Sequence, residues 1–213
     1  NGMPEGGLAV GSLAKAREIY GENEEIFQIF LELARDHGYK AVEVVVENKN
    51  IYKNNSVRLR SLRSLIYQFP GDYERKVESL ASAYPVYGDN NDRFRVVFDL
   101  IINRAQEVVD SLVRAENAYG NNDGRFKAFT SLVDSSNYGW SATQIYNLNK
   151  ALVVYGDDDK KFFDFVELVK LGSDRIESLI KSNDLYKDDD EIYSGFLKLA
   201  HKRRLERLIS ASD

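Results

Sequence analysis

The sequence has no cysteine in 213 residues. That excludes disulfides, thiolate metal sites and cysteine nucleophiles. It also fits a reducing compartment, so an intracellular, cytoplasmic location is expected over a secreted one. No apolar run approaches the roughly 18–20 residues that a membrane-spanning helix needs, so no membrane partner is expected. The opening "NGMPEGG" has neither a basic start nor an apolar block, unlike a secretory signal. Residues 1–7 are expected to be a disordered N-terminal edge or an expression remnant, and residues 8–213 a single helical-repeat domain. Only two histidines occur, His37 and His201, far apart in the chain. No phosphate-binding loop, nucleophile elbow, dinucleotide fingerprint or zinc-ligand spacing is found. The expectation is a protein that is not an enzyme and carries no cofactor and no metal. With a net charge of -5 there is no global attraction to nucleic acid or anionic lipid, although a local basic stripe is compatible with that total. Three prolines in a chain that is 43% hydrophobic suit helices joined by short turns.

What the chain does contain is repetition. "YGENEEIFQIFLELA" begins at Tyr20, and related segments begin at Tyr52, Tyr87, Tyr119, Tyr155 and Tyr186. The spacings are 32, 35, 32, 36 and 31 residues, a period of about 33. Seven residues after the tyrosine stand Phe27, Leu59, Phe94, Phe126, Phe162 and Tyr193. Thirteen after it every copy has leucine, from Leu33 to Leu199. Seven before it stand Leu13, Val45, Leu80, Leu112, Leu148 and Leu179, and four before it stand Ala16, Asn48, Ala83, Ala115, Ala151 and Ser182.

Spacings of three, four and seven place these residues on one helix face. Each copy therefore reads as a shorter helix A ending at the tyrosine and a helix B beginning after a polar loop. One such hairpin cannot bury its apolar face alone, whereas stacked copies can. The predicted fold is all-α, a right-handed α-solenoid of about six two-helix repeats of about 33 residues. The small residues four before each tyrosine are expected to admit a close neighbour. The two longer spacings hold "FPGDY" at 69–73 and "SSNYGWSA" at 135–142, both expected to lengthen connections between copies. The first helix A, preceded by glycines, is expected to be short. The last helix B is expected to run on through "HKRRLERLIS".

The loop after each tyrosine is rich in Asp and Asn, as in "YGDDDKKF" at 155–162. A metal site would need convergent oxygens in a ligating register, which no copy has. Helix capping accounts for all six copies, because Asp and Asn side chains accept from the orphan N–H groups at a helix start. Six residues after the tyrosine, the four central copies carry a cation: Arg58, Arg93, Arg125 and Lys161. Eight after it stand Arg60, Arg95 and Lys127. A cation in the first turn opposes the helix dipole, so this column is the candidate binding site, a track for phosphate. The structural alternative pairs each cation with the polar residue four before it: Asn54–Arg58, Asp89–Arg93, Asn121–Arg125 and Asp157–Lys161.

In period and layout the chain resembles helix-hairpin solenoids of the tetratricopeptide and HEAT type. It lacks the tetratricopeptide Trp-Leu-Gly-Tyr pattern, so no peptide-clamp residue carries over. The period, the inter-helix loop and the base-bearing start of helix B also resemble transcription-activator-like effector repeats, which bind DNA. This chain has acids where those repeats have paired glycines. The resemblance implies a scaffold for a protein or peptide partner, with nucleic acid as the alternative.

Overall fold

The second helices begin where the Asp and Asn of the loops cap them. A computed structural model describes residues 5–53 and 55–202, and no strand occurs among them. The chain forms two compact units, residues 1–104 and 105–213.

The first unit contains α1 (Glu5–Tyr20), α2 (Glu24–Glu47), α3 (Lys49–Tyr52), α4 (Ser56–Gln68), α5 (Tyr73–Ser82), α6 (Tyr84–Tyr87) and α7 (Asn91–Ile102). Helix α2 bends at Gly38, whose backbone is non-helical (φ 78°, ψ -178°). It therefore joins the helix B of one copy to the helix A of the next. Helix α2 packs on α1 and α4, and α5 packs on α4 and α7. The core gathers Phe30, Leu33, Val42, Val45, Leu59, Leu62, Val77, Leu80 and Val97, all buried.

The second unit contains α8 (Gln106–Arg114), α9 (Glu116–Tyr119), α10 (Asp123–Thr130), α11 (Tyr138–Lys150), α12 (Leu152–Tyr155), α13 (Asp159–Leu171), α14 (Ser173–Lys181), α15 (Asn183–Tyr186) and α16 (Asp190–His201). First helices touch first helices, as in α8 on α11 and α11 on α14. Second helices touch second helices, as in α10 on α13 and α13 on α16. Phe129, Ile145, Leu148, Phe162, Phe165, Leu168 and Leu179 are fully buried among them. Each such side chain contributes roughly 1.5–3 kcal/mol of burial.

Several local expectations need correction. The first helix is not short: α1 has 16 residues and starts at Glu5, inside the stretch 1–7. Val10, ten residues before Tyr20, is 68% exposed, although Val42, Val77, Val109 and Ile145 at the same place in later copies are buried. In "SSNYGWSA" only Ser135–Asn137 extend the connection. Tyr138 through Ala142 belong to α11, with Asn137 capping Trp140 N–H at 3.0 Å. Likewise Tyr73 opens α5 rather than lying in the loop. The expected run through "HKRRLERLIS" falls outside the described residues after Lys202.

From the second copy onward, helix A does not run unbroken to its tyrosine. It breaks at the residue four before, and a single turn (α3, α6, α9, α12 or α15) carries the tyrosine. At that break Ala83, Ala115, Ala151 and Ser182 are buried. In an unbroken helix the carbonyl of Leu80 would accept from the N–H of residue 84. The break removes that partner, and the hydroxyl of Tyr87 donates to Leu80 O at 2.9 Å instead. The same bond joins Tyr52 to Val45, Tyr119 to Leu112, Tyr155 to Leu148 and Tyr186 to Leu179. Tyr20 makes it to Leu13 at 3.3 Å. Each tyrosine from Tyr52 onward thus supplies a buried apolar ring and satisfies a buried acceptor.

Candidate functional site

The loops that hold the basic column are built the same way in each copy. The residue after the tyrosine takes a positive φ at Gly21, Gly88, Gly120 and Gly156 (44–51°), and at Lys53 (45°). Only glycine adopts that conformation without strain, so Lys53 is strained; Lys187, in the last copy, is right-handed helical instead. Two residues further on, Asn23, Asn55, Asn90, Asn122, Asp158 and Asp189 are the N-caps of the second helices. Each side chain accepts from backbone N–H groups of the first turn. The third aspartate of "YGDDD", Asp159, is the first residue of α13. The acid-rich loops are thus used as caps. Among the described residues no group of three or more His, Asp or Glu converges as a metal site.

The column divides into an inner and an outer set. Arg58, Arg93 and Arg125 are only 3%, 6% and 6% exposed. The Arg58 guanidinium lies over the rings of Tyr87 and Phe94, at 5.2 and 4.8 Å from their centroids. Its Nε donates to Asn91 Oδ1 (2.9 Å), and its Nη1 to the carbonyls of Ile51 (3.1 Å) and Gly88 (2.8 Å). Arg125 repeats the arrangement in the second unit. It lies over Tyr155 and Phe162 (5.6 and 5.0 Å). Its Nε meets Asp159 Oδ1 at 2.7 Å, and its Nη1 donates to Ala118 O (3.3 Å) and Gly156 O (2.8 Å). Lys161 does the same with less: its Nζ is 3.1 Å from Asp190 and 5.1 Å from the centre of the Tyr193 ring.

Each of these three cations therefore clamps its own hairpin to the next. The arginines tie a carbonyl beside one tyrosine to the loop carbonyl after the following one, and stack on that copy's aromatic pair. The pairing four residues back is not how Arg58, Arg125 and Lys161 are held. Their partners lie a full period ahead, at Asn91, Asp159 and Asp190. Asn54 is outside the described residues. Burial lowers the pKa of Arg58, since desolvation disfavours its charged form.

The outer set is exposed. Arg60 pairs with Glu25, and Arg95 lies 3.7 Å from Asp92. Lys127 lies on the exposed side of α10. In the first unit a cleft of about 460 Å³ beside Arg58 is lined by Lys53, Asn55, Ser56 and Asp89, and Lys53 Nζ contacts Asp89 at 2.7 Å. In the second, a cavity of about 130 Å³ beside Lys161 includes Asp164, Asp190 and Tyr193. Tyr193 Oη donates to Asp164 Oδ2 at 3.3 Å, and burial pushes the Asp164 carboxyl above the usual range.

Sequence reasoning did not find a second set of polar anchors, eleven residues before the tyrosine. Lys76 is 2% exposed, and its Nζ donates to Ile101 O at 2.7 Å, at the C-terminal end of α7. Arg175 Nη1 donates to His201 O at 2.9 Å, at the end of α16. A cation there satisfies an orphan carbonyl and complements the helix dipole. The signal was a charge at a core-facing position of helix A.

These geometries describe a chain that joins hairpins through buried cations. No protein-family model matches the sequence, and comparison with curated proteins and with solved structures gives no match.

Proposed function

We propose that the six copies continue as one right-handed α-solenoid of two-helix repeats, and that the chain is a non-enzymatic scaffold that binds a protein or peptide along its surface. The burial of the inner cations carries this reading. A phosphate track needs Lys or Arg free to release counterions on contact. Arg58, Arg93 and Arg125 are almost wholly covered, and Arg58 and Arg125 are engaged with carbonyls, a carboxamide or carboxylate, and aromatic rings. Of the outer set, Arg60 and Arg95 already contact acids. What varies from copy to copy is the exposed face of each helix, which is where a solenoid selects its partner.

The test is capture of partners on the immobilised full chain, with and without nuclease, at 50 and 300 mM salt. The scaffold reading expects a protein retained after nuclease treatment. It is overturned if the retained material is nucleic acid, released by salt and bound less by the Arg60→Glu, Arg95→Glu and Lys127→Glu variant.

A further inference from the structure

The exposed faces of the first helices are charged in most copies and differ in one. On α5 the face carries Glu74, Arg75 and Glu78; on α14 it carries Asp174, Glu177 and Lys181. On α11 the matching face is Gly139, Ala142, Thr143 and Tyr146, uncharged over about two turns. Tyr146 is 50% exposed. This face borders a cleft of about 310 Å³ whose other wall, on α8, carries Glu107, Asp110 and Arg114.

Two contacts fix how the walls run. A Cβ on Gly139 would stand 3.6 Å from Glu107 Oε2, and Asn149 Nδ2 donates to Arg114 O at 3.3 Å. The helices are therefore parallel, and the cleft has an acidic end and a basic end. Glu107 lies at the first, and Asp110 stands between the ends, one turn before Arg114. Arg114 lies at the second, and Lys150, one turn beyond Tyr146 on α11, has its Nζ 5.5 Å from the centre of the Tyr146 ring. The ends are about 10 Å apart, seven residues of helix.

None of these four charges forms an ion pair among the described residues, although Asp110 and Arg114 have the i,i+4 spacing at which pairs form. Asp110 accepts only from the uncharged Gln106, at 2.8 Å. On the other first helices some such charges are matched: Lys15 with Glu43, Lys40 with Glu74, Arg75 with Asp72, and Lys181 with Glu177. The α8–α11 cleft is thus a neutral floor with separated, unpaired charges of opposite sign at its two ends.

We infer that this cleft is a docking site for an extended segment of a partner protein carrying a Lys or Arg and, about 10 Å further along, a carboxylate. The basic side chain meets Glu107 and Asp110, the carboxylate meets Arg114 and Lys150, and small uncharged residues between them cross Thr143 and Tyr146. In an extended chain, side chains four residues apart share one face at about 13 Å, and their flexible ends reach charges at that separation. The inference rests on the scaffold reading and assigns it a surface and a partner chemistry.

The experiment is an NMR titration of the labelled full chain with the amidated peptide Gly-Lys-Ala-Ala-Ala-Glu-Gly, which suits weak binding. Saturable shifts are expected at the amides of Gly139, Thr143 and Tyr146. Affinity is expected to fall at least fivefold in E107Q/D110N and in R114Q/K150Q, and to be unchanged in E78Q, which alters the equivalent face of α5. Replacing the peptide lysine by glutamine is expected to weaken binding to the unaltered protein, with no further loss in E107Q/D110N. The inference is overturned if the peptide causes no saturable shifts, or if both double variants bind as the unaltered protein does. Either result alongside a nuclease-resistant captured protein removes the cleft and leaves the scaffold. Capture of nucleic acid alone removes both.

Discussion

At the residue scale, the inner cations determine how the surface is read. Arg125 is buried against two rings and satisfies three acceptors, one of them the carboxylate of Asp159. Arg125→Ala removes the guanidinium that donates to the carbonyls of Ala118 and Gly156 and is expected to lower stability by about 3 kcal/mol, measured by urea unfolding. Arg125→Lys is expected to recover less than half, because a single ammonium cannot reproduce the planar fork. Tyr87→Phe removes the one donor that reaches the Leu80 carbonyl and is expected to cost about 1 kcal/mol. The tyrosines also set an alkaline limit. Burial raises the hydroxyl pKa of Tyr52, Tyr87, Tyr155 and Tyr186 above the usual 10. The unfolded chain therefore loses these protons first. Their contribution is complete below about pH 10 and is lost as pH rises through the folded-state values. Absorbance at 295 nm should show these four ionising together with loss of helical circular dichroism; ionisation with the helices intact would contradict the burial.

At the element scale, loops and caps were the most legible part of the sequence. The N-caps from Asn23 to Asp189 could be read from residue type and register, because capping is decided within one turn. The glycine after four of the six tyrosines is equally local. Lys53 breaks that rule, holding φ 45° and ψ -121° with a side chain. Lys53→Gly is expected to raise the melting temperature by about 2–4 °C, a conversion from relieved strain to midpoint for a chain of this size. A drop would mean that the contact with Asp89 outweighs the strain. The break in helix A was not legible. The small residue at 83, 115 or 151 suggested close packing, which burial bears out, but the tyrosine bond that compensates the break depends on a carbonyl seven residues away. The role of the cations was hidden for a related reason. Arg58 and Lys161 sit at first-turn positions that are exposed in an isolated helix and become covered only when the loop one period ahead is in place.

At the scale of the whole molecule, the described residues form helices joined by turns and loops with no strand, and no helix among them is long and apolar enough to cross a membrane. Periodicity of the apolar positions was enough to find its helices. The exposed faces carry no such constraint, so the α8–α11 cleft could not be read from spacing; its unpaired charges emerge only when two neighbouring first helices are set side by side. The scaffold account has one requirement, that the inner cations hold hairpins together and do not contact nucleic acid. The direct measurement is an Arg58→Gln/Arg125→Gln variant, followed by thermal unfolding and by oligonucleotide affinity at 50 mM salt. The account predicts a melting temperature lowered by several degrees, with oligonucleotide binding equally weak before and after the change. An unchanged melting temperature together with loss of tight oligonucleotide binding would contradict it.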